Sequence, residues 1–215
     1  MSQDLHMPLL GDTFPELFVQ TTQGPLHLPH DMRGSWFVFF SHPSEYTPVC
    51  TTEFLSFQKL MPEFDKLGIK LVGMAIDQIA AHIKWIEWVK EKLGADITIP
   101  LIAANDAIAM DVGMMRSGSF SVREVFIADQ EGKIRLIHTY PQEIGFNMEE
   151  ILRAAKALQV ADRNGVSLPA NWPNNDLIQD KVIIPPPDTV AGAEEYKKKY
   201  DGYDWWFSYQ AIPSP

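Results

Sequence analysis

The sequence predicts an α/β fold: a central sheet flanked by helices, followed by a C-terminal arm of different character. Three observations carry that expectation. Short blocks that are apolar throughout, "WFVFF" (36–40) and "IKLVGMAI" (69–76), alternate with segments whose apolar residues recur every three or four positions. Such blocks are strands covered on both faces, and the periodic segments are amphipathic helices. Late in the chain two strand-like runs flank "DQEG", which adds an antiparallel hairpin to the layers. Beyond residue 160 the periodicity gives way to prolines and aromatics. The expected division is a domain over 1–160 and an arm over 161–215.

In chain order, Leu17–Gln20 and Pro25–Leu28 are short extended pieces around Thr22-Gln23-Gly24. The strand over 36–40 follows. From Val49 the period changes, and Phe54, Phe57, Leu60, Met61, Phe64 and Leu67 share one helical face. After the strand over 69–76, residues 80–93 form a helix with Ile83, Ile86, Val89 and Leu93 inward. Gly94 ends it, and its Trp85–Trp88 pair reads as packing. "ITIPLIAA" (97–104) is strand-like, and Pro100 suggests an edge position or a bend. Residues 122–128 and 133–140 form the hairpin. A helix over 147–159 turns Met148, Ile151, Leu152, Ala155 and Leu158 inward. In the arm, Pro169, Trp172-Pro173 and Pro185-Pro186-Pro187 argue against a regular core, while 188–200 suits a short charged helix. The chain closes on "YDGYDWWFSYQ". Exposed, Trp205, Trp206, Phe207 and Tyr209 would form a large apolar patch of the kind that marks an interface, so the arm is expected to lie over its own domain or a neighbour's.

A formal net charge of -10 argues against nucleic acid and against anionic membrane surfaces. No apolar run has the length of a membrane span. Met1–Leu10 is polar and does not read as a signal peptide. The chain has a single cysteine, so no internal disulfide can form. These features predict a cytoplasmic protein. His27 and His30 have a ligand-like spacing without a partner cluster, and no metal site is expected.

That cysteine, Cys50, lies in "SHPSEYTPVCTTE". Pro48 suits the first position of a helix, where a missing N–H costs nothing, and Thr47 is then the N-cap. Cys50 falls in the first turn, among unpaired backbone N–H groups at the positive end of the helix dipole. Both favour the thiolate, the nucleophilic form. From these residues alone two readings stand: a small buried hydrophobe and a reactive thiol. Ionisation by itself gives modest acceleration, because a less basic thiolate is a weaker nucleophile. A fast reaction needs donors aimed at the charge that develops in the transition state.

Pro43, Thr47, Pro48, Cys50, Thr51, Thr52 and Glu53, as they stand in this stretch, resemble the peroxidatic motif of the peroxiredoxins. The resemblance continues through "HIKWIEW" (82–88), "VREVFIADQEGKIR" (122–135), "YPQEIGFNMEEILRAAKAL" (140–158), "PANWPNN" (169–175) and "DWWF" (204–207). The last two segments are similar to the one-cysteine subgroup in its archaeal-type branch. The resemblance implies a thioredoxin-like sheet and a dimerising arm. It also implies thiol-dependent reduction of hydrogen peroxide and alkyl hydroperoxides through a sulfenic acid on Cys50. By the same resemblance Thr47 would hydrogen-bond thiolate and peroxide, Pro43 would shield the sulfur, and Arg123 would pair with the thiolate. His42 would contact the thiolate or be structural. Glu53 would orient Arg123 or cap the helix. No organic cofactor is implied. The implied partners are the hydroperoxide, an external thiol reductant and further copies of the chain, as a homodimer assembling to a decamer-type ring. A redox-regulated chaperone or peroxide sensor is the alternative function.

Two positions depart from the family pattern. Family members usually carry a second arginine where this chain has Phe146, which predicts a thinner arginine network unless Arg116 or another group substitutes. Several archaeal-type relatives have a cysteine where this chain has Ser208. No lipase-like Gly-x-Ser-x-Gly surrounds Ser35, which sits in "RGSWF".

Overall fold

The computed structural model describes residues 7–115 and 123–212. By their contacts the residues divide into two compact units, one ending at Met148 and one starting at Glu149.

The first unit holds a seven-stranded sheet: β1 (Leu17–Thr21), β2 (Gly24–Leu28), β3 (Trp36–Ser41), β4 (Ile69–Ala75), β5 (Leu101–Ala103), β6 (Arg123–Ala128) and β7 (Ile134–Tyr140). Their order is β2-β1-β5-β4-β3-β6-β7. β3, β4 and β5 run parallel, and the other pairs are antiparallel. Helix α1 (Pro48–Lys66) connects β3 to β4, and α2 (Ile79–Leu93) leads from β4 towards β5. A short α3 (Asp106–Asp111) was not expected. This is the predicted α/β architecture.

β3 is buried at all six positions, so its uniformly apolar sequence faces two packed layers. On one face Phe14 packs against Phe37, Phe39 and Phe126, with ring centroids 5.3, 5.0 and 5.6 Å away. On the other, Phe40 meets Phe54 and Phe57 of α1 at 4.9 and 4.0 Å. Gly73 of β4 permits that approach. A Cβ there would lie 2.7 Å from Phe54 Cζ and 2.7 Å from Leu101 Cδ2. The sheet thus seats α1, and α1 carries Cys50.

Two expectations for this unit need correction. The inward face of α2 is His82, Trp85 and Val89, while Ile83 is 47% and Leu93 46% exposed. Trp85 packs edge-on against Phe54 and His82 is anchored by polar partners, so these two set the helix rotation. Trp88 is 39% exposed and only Trp85 of the pair is core. Strand β5 is also shorter than 97–104 and is interior, between β1 and β4. Pro100 lies just before the ladder, so its missing N–H breaks no strand pairing. Gly94 ends α2 as expected, at φ 68° with its N–H on the Lys90 carbonyl.

The second unit contains α4 (Met148–Asn164) from its second residue on, then a three-stranded sheet and α5 (Val190–Lys199). The sheet has the order β8-β10-β9, from β8 (Val182–Ile183), β9 (Asp201–Asp204) and β10 (Phe207–Gln210). The prolines do not prevent a core here: Val166, Val182 and Ile184 form a small buried cluster. Trp172 is 2% exposed and donates its Nε1–H to the Asp180 carbonyl. Ser208 is buried, and its hydroxyl donates to the Trp205 carbonyl. Trp206 is 56% exposed. Among the described residues no helix is long and apolar enough to cross a membrane.

Candidate active site

Pro48 opens α1, and Thr47 stands at the N-cap position with extended backbone (φ -101°, ψ 139°). The Thr47 side chain does not cap the helix: its hydroxyl donates to the Ser44 carbonyl at 3.2 Å. The first-turn N–H groups therefore receive no oxygen from the Thr47 side chain. Cys50 is the third helical residue and 1% exposed.

Arg123, the first residue of β6, is 2% exposed and reaches the sulfur. Its Nη1 is 3.2 Å from Cys50 Sγ and 2.5 Å from Glu53 Oε2. Its Nε and Nη2 fork onto the Gln142 carbonyl at 3.1 and 2.9 Å. Glu53 uses its second oxygen to accept the Phe146 N–H at 3.0 Å. The segment carrying that N–H lies close over α1, since a Cβ on Gly145 would stand 3.3 Å from Val49 Cγ1. Burial pushes the Glu53 carboxyl above its ordinary value, and the Phe146 N–H and the Arg123 charge pull against that without cancelling it. A cation held at both ends against a buried sulfur can stabilise negative charge on that sulfur and on an oxygen beside it.

The structure brings Cys50, Arg123 and Glu53 together. Glu53 pairs with Arg123 from the second turn of α1 and is not a cap. Pro43 is half-buried in the turn between β3 and α1. His42 is fully buried, and its Nε2 lies 3.2 Å from Glu45 Oε1. Its Nδ1 has no hydrogen-bond partner among the described residues. Arg116 falls outside the described residues, as does the loop over 117–121. Phe146 contributes its backbone N–H, and its ring packs on Tyr140 at 5.3 Å.

Sequence reasoning missed the Gln142 carbonyl and the Phe146 N–H, because backbone donors and acceptors leave no mark in residue type. It also missed Glu45, which accepts from His82 Nδ1 at 2.6 Å as well as from His42. Burial pushes the Glu45 carboxyl up, but the hydrogen bonds and charges of His42 and His82 outweigh it and hold the group below its ordinary value. An acid three residues after His42, in a turn leading to Cys50, was the available signal.

The model of the AhpC/TSA family matches residues 10–137, and that of the C-terminal domain of 1-Cys peroxiredoxin matches 157–199. A Treponema denticola protein named peroxiredoxin is 63% identical over 208 residues, covering 96% of this chain and 100% of its own. A Chlorobaculum tepidum peroxiredoxin is 57% identical over 209 residues, covering 96% and 99%. Among solved structures, the yeast mitochondrial 1-Cys peroxiredoxin superposes with a TM-score of 0.80 at 36% identity, covering 95% of this chain and 100% of that one. A cysteine-to-serine mutant of peroxiredoxin 6 from Arenicola marina also gives 0.80, at 29% identity over 97% and 100%. With matches of this identity over this length, the chain belongs to the peroxiredoxin family and is a thiol peroxidase of thioredoxin-like fold.

Proposed function

We propose that the protein reduces hydrogen peroxide and alkyl hydroperoxides by attack of the Cys50 thiolate on a peroxide oxygen. An S–O bond forms as the O–O bond breaks. Cys50 is oxidised to the sulfenic acid, and the leaving oxygen departs as hydroxide or alkoxide and takes up a proton. The observation that carries this reading is the Arg123 guanidinium 3.2 Å from the sulfur. It faces the charge that moves from sulfur to oxygen, and Glu53 with the Gln142 carbonyl fixes its plane. Thr47 positions the peroxide, Pro43 limits water at the sulfur, and His42 supports the turn from behind.

The chain has one cysteine, so electrons come from outside. A first external thiol attacks the sulfenic sulfur, expels water and leaves a mixed disulfide. A second thiol releases Cys50 and departs as the disulfide. The yeast mitochondrial relative is described as using glutathione and thioredoxin systems for thiol resolution. We place the protein in the cytoplasm and assign the arm over 161–215 to dimerisation, with dimers building a decamer-type ring.

Intact mass after one equivalent of hydrogen peroxide, with and without a sulfenic-acid trap, tests the chemistry. One added oxygen or a trapped adduct on Cys50 within seconds is expected, and Cys50→Ser should abolish peroxide consumption while remaining folded. Undiminished consumption by that variant would sink the mechanism.

A further inference from the structure

The turn from His42 to Thr47 joins β3 to α1 and sets where the helix bearing Cys50 begins. It contains a backbone conformation that L residues avoid: Tyr46 has φ 56°. Tyr46 is 55% exposed, so little packing of its own side chain holds it there. Such a residue persists where its surroundings over-determine it.

The surroundings act through its neighbour, Glu45, which is 5% exposed. Its backbone N–H donates to Asp77 Oδ2 at 2.7 Å. Its side-chain Oε1 accepts from His82 Nδ1 at 2.6 Å and from His42 Nε2 at 3.2 Å. His82 is itself fixed, with Nε2 3.2 Å from the Ile102 carbonyl of β5. His82 lies on α2 and Asp77 in the connection that precedes it. Neither touches the sulfur through any hydrogen bond among the described residues. Both are tied to the turn that presents Thr47 and the first residues of α1.

We propose that His82 and Asp77 are positioning residues, which through Glu45 lock the strained turn and so hold Thr47 and Cys50 in place for attack on the peroxide. The proposal rests on the reading of Cys50 as the peroxidatic nucleophile. The turn has no glycine to relax into a left-handed conformation. With its ties removed, Tyr46 returns to an ordinary backbone region, and the start of α1 shifts with it. A displacement near 1 Å at a reacting group costs on the order of a hundredfold in rate.

Two substitutions at His82 separate this role from simple core filling. In His82→Asn the amide nitrogen stands where Nδ1 stood and still donates to Glu45. In His82→Gln it stands where Nε2 stood, keeps Ile102 and releases Glu45. Asp77→Ala frees the Glu45 N–H at a half-buried site without opening the core. The readouts are peroxide consumption, the rate of Cys50 alkylation by iodoacetamide at fixed pH, and the thermal midpoint. His82→Gln should slow both sulfur reactions about tenfold or more, and His82→Asn should stay within about threefold of wild type at a similar thermal midpoint. Asp77→Ala should slow both severalfold. Equal loss in the two His82 variants, tracking the thermal midpoint, would overturn the proposal; so would wild-type rates in His82→Gln and Asp77→Ala. If the His82 variants do not fold, Asp77→Ala decides alone. Alkylation needs no peroxide chemistry. A wild-type protein that alkylates readily but consumes no peroxide would sink the peroxidase reading and leave the lock to be judged on alkylation.

Discussion

Arg123 serves the site with one guanidinium: Nη1 faces Cys50 and Glu53, and the Nε–Nη2 edge grips the Gln142 carbonyl. A lysine would supply charge without the fork. Arg123→Lys should therefore slow the peroxide step about a hundredfold with the fold intact, as read by stopped-flow kinetics. A wild-type rate would show that charge alone suffices. The two buried glutamates respond to acid in opposite directions. Glu45 lies below its ordinary value of 4.5. Its contribution to stability is complete above that value and is lost as pH falls through the lower folded value. Glu53 lies above its ordinary value, so folding favours its proton and its share of stability declines as pH rises. Urea unfolding from about pH 6 to about pH 3 should show a shallower loss of stability in Glu45→Gln than in wild type. An identical slope would remove Glu45 from the acid response.

At the level of elements, α2 shows how packing overrules periodicity. Ile83, Ile86, Val89 and Leu93 satisfy a helical pattern, yet only Val89 of the four is buried. The helix is turned by Trp85 against Phe54 and by His82 on Glu45. A pattern of residue types does not reveal that a histidine has a buried carboxylate to meet. Trp85→Ala should cost about 3–5 kcal/mol in chemical unfolding, whereas Ile83→Ala should stay within about 0.5 kcal/mol. The reverse ranking would refute the observed rotation. Gly73 belongs to the same layer. Gly73→Ala would force the Phe54 and Leu101 side chains away and should cost about 1–3 kcal/mol. Because α1 moves with Phe54, it should also slow Cys50 alkylation.

For the whole molecule, the two units raise the question of what the second one does. Its β10 carries Phe207 and Tyr209, and Trp206 beside it is 56% exposed. Deleting 204–215 should weaken self-association, measured as a lower mass by light scattering at the same concentration. An unchanged mass would reject the dimerisation role proposed for the arm. The deletion also removes β9 in part and β10 entirely. Trp206→Ala is the companion variant, because it leaves the small sheet's backbone pairing in place.

The sequence by itself determined the α/β layering, since a strand apolar on every residue and a helix apolar every third or fourth residue have few ways to bury themselves together. It also determined that Cys50 sits at a helix start, because Thr-Pro is a local signal acting through backbone geometry and a missing N–H. Arg123 was legible only through the family resemblance of the segment "VREVFIADQEGKIR". The tertiary structure decided the rest. Cys50 and Arg123 are 73 residues apart in sequence, and they come within hydrogen-bond range in a fold where β6 pairs with β3, the strand that leads into α1. The Gln142 carbonyl and the Phe146 N–H are backbone groups whose direction depends on how the chain returns after β7. The Glu45–His82 pair joins a turn to a helix 37 positions away. Sequence periodicity reports which face of an element is apolar, but a buried polar contact depends on two elements meeting, and that is set by the fold as a whole.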